Sequence, residues 1–115
     1  MTWSWARRVW PWLFVAHLVI VVLAIALYLV MMATTDPEDG VNFGAILVLM
    51  ALLGMGLPWS IPVITMEQAQ YETLSGTTFA TAHFGPALAN VVLHGLVLAV
   101  ASRRRNRSLV AVSRR

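Results

Sequence analysis

The residues best suited to chemistry in this sequence are four polar side chains inside long apolar stretches: His17, His83, Asn90 and His94. Their spacing in the last stretch places His83, Asn90 and His94 on one face of a helix. Ionisable residues in stretches of membrane length are costly and are candidates for function by default. Neutral histidine shuttles protons and ligates metals, so this face is compatible with a proton relay, a bis-histidine haem or a metal site.

We favour a structural interpretation of these four side chains. In apolar helices, polar side chains hydrogen-bond to neighbouring helices, and each bond contributes about 0.6–2 kcal/mol. The apolar stretches contain no cysteine or carboxylate that would complete a ligand set. We therefore predict no metal site and no cofactor.

Catalytic motifs are missing from the sequence. It contains no cysteine, no Gly-x-Ser-x-Gly, no phosphate-binding loop and no glycine-rich dinucleotide turn. The serines, Ser60 among them, fall in predicted turns or tails. We predict that the protein is not an enzyme and has no catalytic residues.

The composition points to a membrane protein. The 115 residues are 59% hydrophobic and 11% charged, whereas a soluble domain is about 45–50% apolar and about 25% charged. All 8 basic residues are arginines near the two ends of the sequence, where they are expected to contact headgroups rather than nucleic acid. The exclusive use of arginine is also typical of a GC-rich bacterial genome, so we expect the bacterial cytoplasmic membrane.

Three uncharged stretches must position the polar residues. They cover residues 9–35, 40–66 and 73–102, and a helix of about 20 residues crosses the hydrocarbon core. Backbone groups in lipid must be bonded within their own segment, which requires helices. We predict an all-α, multi-pass membrane domain over 1–115 with spans at about 10–33, 43–65 and 80–101. The first apolar run is too long for a signal peptide.

Local signals predict where these helices begin and end. Pro11 suits a first turn, and Asn42 suits the cap of the second helix. Pro58 and Pro62 remove two backbone donors, so they should kink or end that helix.

The segment after this break is more polar. Thr65 and Gln68 form a possible capping box for a short extramembrane helix at about 66–75, which Gly76 should end. The spacings Gly85-x-x-x-Ala89 and Gly95-x-x-x-Ala99 predict close helix approach. Residues 103–115 form a basic tail.

The arginines pose a topological conflict. They precede the first span and follow the last, at Arg7, Arg8, Arg103, Arg104, Arg105 and Arg107 among others. The positive-inside rule places both ends in the cytoplasm, yet three spans place them on opposite sides. Either the six C-terminal arginines outweigh the first two, or the second stretch enters and returns, leaving residues 34–79 outside. We predict three spans.

The two topologies predict different partners for His17. Three spans make the first and third helices parallel, so that His17 faces the region from His83 to Asn90. A re-entrant second stretch makes them antiparallel, and His17 then lies level with His94, by about 1.5 Å of rise per residue. We predict the first pairing.

The segment from Phe84 to Val97, followed by the arginine cluster, resembles the last helix of a group of small uncharacterised actinobacterial integral membrane proteins. The start of the predicted second helix, from Asn42 to Ala45 after an acidic turn, is also similar to these proteins. The resemblance implies a multi-span membrane protein, and it carries no function.

Three functions remain open from the sequence. The first is a non-enzymatic accessory subunit, in contact with the lipid bilayer and with other membrane helices. The second is a homo-oligomeric transporter or channel whose path is lined by His83, Asn90 and His94. The third is a b-haem or quinone-associated subunit that uses His17 and a histidine of the third helix.

Overall fold

The computed structural model describes residues 3–36, 38 and 40–113, and its side chains over 9–36, 38 and 40–104. Within these residues the chain is helical, at 82% helix without strands. The helices are α1 (Trp3–Thr34), α2 (Phe43–Met55), α3 (Ile61–Ile64), α4 (Gln68–Tyr71) and α5 (Gly76–Ser113).

Two helices have the length and apolar character needed to cross a membrane. They are the segments Val9–Thr34 of α1, with 26 residues, and Gly76–Arg104 of α5, with 29 residues. They match the first and third predicted spans. By contrast, α2 has 13 residues, fewer than the roughly 20 that a span requires. The prediction of an all-α protein is therefore confirmed, and three spans are not shown.

Both long helices extend beyond the predicted spans. Because α1 begins at Trp3, Pro11 lies inside the helix rather than in its first turn. At the other end α5 continues to Ser113, so most of the predicted basic tail is helical. Glycine and proline are the strongest helix breakers, and none occurs after Gly95.

The contacts between α1 and α5 show that the two helices run antiparallel. Phe14, near the start of α1, lies against His94, with ring centres 5.4 Å apart. Further along α1, Tyr28 meets Phe84, with ring centres 5.6 Å apart. Higher numbers in α1 thus pair with lower numbers in α5. The predicted parallel arrangement is wrong, because α2 ends partway along the bundle and the chain then turns back.

The ends of α2 follow its local sequence. The Ala45 N–H donates to Oδ1 of Asn42 at 2.9 Å, which confirms the predicted cap. The helix ends at Met55, before Pro58. This is expected because a proline disfavours a helical conformation in the residue that precedes it. The predicted break is therefore confirmed.

The return segment differs from its prediction. Thr65 donates its hydroxyl to the Ile61 carbonyl one turn back at 2.9 Å, and this local bond replaces the predicted capping box. Only Gln68–Tyr71 is helical here, and Glu67 precedes it without a side-chain cap. Gly76 begins α5 rather than ending the short helix. Ser75 lies next to it, and its Oγ accepts from the Thr78 N–H at 3.3 Å.

The buried core is small and joins the three longer helices. Val21 of α1, Leu52 of α2, and Ala87 and Val91 of α5 are each at most 5% exposed. Most other large apolar side chains point outward. In the most apolar windows of α1 and α5, 11% and 17% of the residues are buried. Two long helices therefore present apolar outer surfaces, which supports membrane association.

Candidate functional site

The predicted polar face of α5 is divided among three separate places. Asn90 lies against the end of α2, where its Nδ2 donates to the Met55 carbonyl at 2.7 Å and the Leu57 carbonyl at 2.8 Å. A side-chain amide has two hydrogens to donate, and Asn90 uses both. Asn90 was predicted to face His17, but its amide bonds to the end of α2 instead.

Ser60 completes the same arrangement. Its side chain is 0% exposed, and Oγ donates to the Leu53 carbonyl at 2.6 Å. The last carbonyls of a helix lack partners within the helix, and Ser60 and Asn90 supply two side chains that bond to carbonyls at and just beyond this end. The sequence predicts only a turn at Ser60 and does not reveal this role. The signal was its position just after Pro58, where carbonyls need outside donors.

Gly56 allows the break to lie directly on α5. A Cβ atom added to Gly56 would stand 2.5 Å from the Pro86 Cβ and 3.1 Å from the Ala87 backbone nitrogen. At Gly54, one half-turn earlier, an added Cβ would meet nothing within 4 Å. The backbone at Gly56 therefore packs so tightly that no side chain fits.

The two small-residue motifs of α5 behave differently. An added Cβ at Gly95 would lie 3.2 Å from the Phe14 ring of α1. At Gly85 its nearest neighbour is Thr81, on α5 itself, at 3.9 Å. Gly95 thus lies at a helix contact as predicted, whereas Gly85 faces no other helix among the described residues.

His83 joins α5 to the return segment. The side chain is 1% exposed, and its Nδ1 lies 2.8 Å from the Phe79 carbonyl oxygen. Since a carbonyl only accepts, Nδ1 carries a proton, and in the neutral ring Nε2 accepts from the Tyr71 hydroxyl at 3.1 Å. Burial raises the pKa of Tyr71, and nearby Tyr28 raises it further, so this hydroxyl keeps its proton.

His17 and His94 meet near the other end of the bundle. Their ring centres are 5.9 Å apart, and the His94 ring also packs edge-on against Trp10 at 5.5 Å. Nε2 of His94 is buried and has no hydrogen-bond partner among the described residues. This is the pairing expected for antiparallel helices, so the predicted contact of His17 with the region from His83 to Asn90 is wrong. Within the described part of the chain, no three histidine, cysteine or carboxylate side chains come together to hold a metal.

A cavity of about 490 Å³ lies at the end of the bundle that holds the α1–α2 connection. Its wall includes Tyr28 of α1, Asp36 of the connection, Leu49 of α2, Tyr71 of α4 and Phe79 of α5. This cavity was not predicted from the sequence. Its residues come from distant parts of the chain, and no local pattern connects them.

Charges are separated along the bundle. The side chains of Arg103 and Arg104 are exposed on α5, whereas those of Arg7, Arg8, Arg105 and Arg107 lie outside the described side chains. Because α1 and α5 are antiparallel, their backbones place these arginines toward one end. The five acidic residues all belong to the connections between helices.

No protein-family model, curated protein or solved structure matches the chain. The resemblance to small actinobacterial membrane proteins therefore stays a prediction.

Proposed function

We propose that the chain is a non-enzymatic accessory subunit of the bacterial cytoplasmic membrane. In this proposal α1 and α5 cross the bilayer, while α2 enters it and residues 56–75 return to the side from which α2 came. The arginine-bearing ends of α1 and α5 lie in the cytoplasm, in line with the positive-inside rule. The partners are lipid and other membrane helices.

The bonding at the end of α2 supports a re-entrant segment. Non-helical backbone is tolerated at membrane depth only where protein buries it and provides bonding partners. Asn90 and Ser60 bond to the carbonyls of Leu53, Met55 and Leu57. The segment is thereby compatible with the bilayer without crossing it.

The observation that carries the accessory role is that three buried or half-buried polar side chains bond internally while the outer faces stay apolar. Asn90, Ser60 and His83 all use their donors within the chain. On the outside, Leu23 of α1 is 62% exposed and Val92 of α5 is 60% exposed. A surface of this kind suits lateral packing against lipid and apolar helices.

The transporter alternative has less support. His83, Asn90 and His94 contact three different partners rather than one common space, so they do not line a path together. The haem alternative is the second candidate, and the observation that favours it is the contact of His17 with His94, whose Nε2 has no partner among the described residues. A Soret band in the absorption spectrum of the protein purified from its native membrane would identify bound haem, and its absence would exclude this candidate.

Photo-crosslinking in the native membrane tests the accessory role. A photoreactive side chain is placed in turn at outward positions of α1 and α5, with Leu23 and Val92 as the first pair. We expect a discrete protein adduct from contiguous positions on one face and lipid adducts elsewhere. Lipid adducts alone at every outward position would contradict the proposal.

A further inference from the structure

The cavity between α1, α2 and the start of α5 has the size of a small-molecule site. Its volume is about 490 Å³, within the range of about 300–1,000 Å³ that is usual for ligand pockets. The lining is largely apolar and includes Met32, Ile46 and Leu49. It therefore suits a ligand with an apolar body.

Three aromatic rings line this cavity, and each is held in place by a neighbour. Tyr28 packs edge-on against Phe84, with ring centres 5.6 Å apart. Tyr71 is hydrogen-bonded to His83 at 3.1 Å, and Phe79 stacks on the same imidazole, with ring centres 4.0 Å apart. Fixed aromatic rings attract organic cations through their negative faces.

The charge of this end of the bundle has the sign that favours a cation. Asp36 lines the cavity, and the connection from Thr35 to Asn42 contains no basic residue. The sequence contains no arginine between Arg8 and Arg103, so the arginines lie toward the opposite end. A region of one sign concentrates ions of the opposite sign, and an anionic ligand would meet the Asp36 carboxylate.

The depth of the cavity suits an amphiphilic ligand. Tyr28 and Leu49 lie about two helical turns from the connection, or about 10 Å at about 1.5 Å per residue. Asp36 belongs to the connection itself, so the carboxylate and Leu49 lie at opposite ends of the lining. A ligand would place its charged centre near Asp36 and its apolar part between α1 and α2.

From the aromatic rings, the carboxylate and the apolar wall, we infer that this cavity binds a lipophilic organic cation, an ammonium or phosphonium ion carrying apolar groups. A bare metal ion fits the cavity poorly, because Asp36 supplies the only carboxylate among its described lining residues. This inference concerns a ligand site and does not rest on the proposed accessory role.

The test measures binding of two ions of the same shape and opposite charge to the full-length protein in a neutral detergent. The probes are tetraphenylphosphonium and tetraphenylborate, and titrations into protein-free micelles are subtracted. We expect saturable binding of tetraphenylphosphonium at one site per chain and no saturable binding of tetraphenylborate. Equal binding of both ions would show apolar partitioning and would overturn the inference.

A matched pair of variants locates the site. Asp36→Asn keeps the oxygen that accepts from the Glu38 N–H and removes an exposed charge, so we expect tetraphenylphosphonium binding to weaken about threefold to fivefold. Glu38→Gln removes the same charge from a residue that is not among the cavity lining, and we expect a change of less than about twofold. Equal weakening by the two variants would mean that binding follows net charge, which contradicts a defined site.

A third variant tests the aromatic contribution. Phe79→Leu keeps an apolar side chain and removes one ring, and we expect binding about threefold to tenfold weaker. Thermal unfolding of each variant without ligand establishes that it is folded. A folded Phe79→Leu variant with unchanged affinity would show that the rings do not recognise the cation, and the inference would fail.

Discussion

His17 of α1 lies against His94 of α5, with ring centres 5.9 Å apart. His17 is in the first half of its helix, and His94 lies at the midpoint of α5. This contact, together with that of Tyr28 with Phe84, places the start of α1 and the later part of α5 toward the same end of the bundle.

The antiparallel arrangement predicts the membrane topology. Reporter fusions at residues 38 and 71 should fall on one side of the membrane, and fusions before Arg7 and after Ser113 on the other. The physical reason is that the chain turns back after α2, which brings Tyr71 to the same cavity as Asp36 of the α1–α2 connection. Reporters at residues 38 and 71 on opposite sides would contradict the re-entrant segment and favour three spans.

The histidine contact predicts energetic coupling between the two rings. A double-mutant cycle with His17→Ala and His94→Ala should give a coupling energy of about 0.5–1.5 kcal/mol in unfolding free energy measured in detergent. The matched cycle of His17→Ala with Asn90→Ala should give none, because Asn90 bonds to Met55 and Leu57 instead. Coupling between His17 and Asn90 but not between His17 and His94 would indicate the parallel arrangement.

Removal of the Asn90 amide should destabilise the protein. In Asn90→Leu the Met55 and Leu57 carbonyls lose a hydrogen-bond donor. Because carbonyls left without a partner are costly, we expect the unfolding free energy to fall by about 2–4 kcal/mol. Leu88→Ala is the control on the same helix, since Leu88 is 40% exposed and its truncation should cost less than about 1 kcal/mol in detergent. Similar losses from both variants would mean that Asn90 does not hold the break.

A pair of glycines tests how closely the break approaches α5. Gly56→Ala would bring a methyl group against Pro86 and the backbone of Ala87, so we expect it to destabilise the fold by about 1–3 kcal/mol. Gly54→Ala meets open space and should be neutral or stabilising by up to about 1 kcal/mol, because alanine favours a helix. Thermal unfolding of the two variants side by side provides the measurement. Equal midpoints would rule out the close packing at Gly56.

Features that depend on residues adjacent in the sequence were predictable from the sequence. The length and apolar character of α1 and α5 follow from uncharged stretches. The cap of α2 follows from the short polar side chain of Asn42, and its end follows from Pro58, which restrains its predecessor and lacks a backbone donor. Each feature reflects the conformation or solvation of a single segment. The same local reasoning failed at Thr65 and Gly76, where competing local bonds gave different helix ends.

The partners of the polar residues were decided by the tertiary structure alone. Helical spacing correctly placed His83, Asn90 and His94 close in angle around α5, but their spread along the helix lets each meet a different element. Which element each one meets depends on the direction that the chain takes after Gly56. Prolines end a helix without specifying whether the chain continues onward or returns. That choice depends on non-local contacts, namely the close packing of Gly56 on Pro86 and the bonds that Asn90 provides to the carbonyls of Met55 and Leu57.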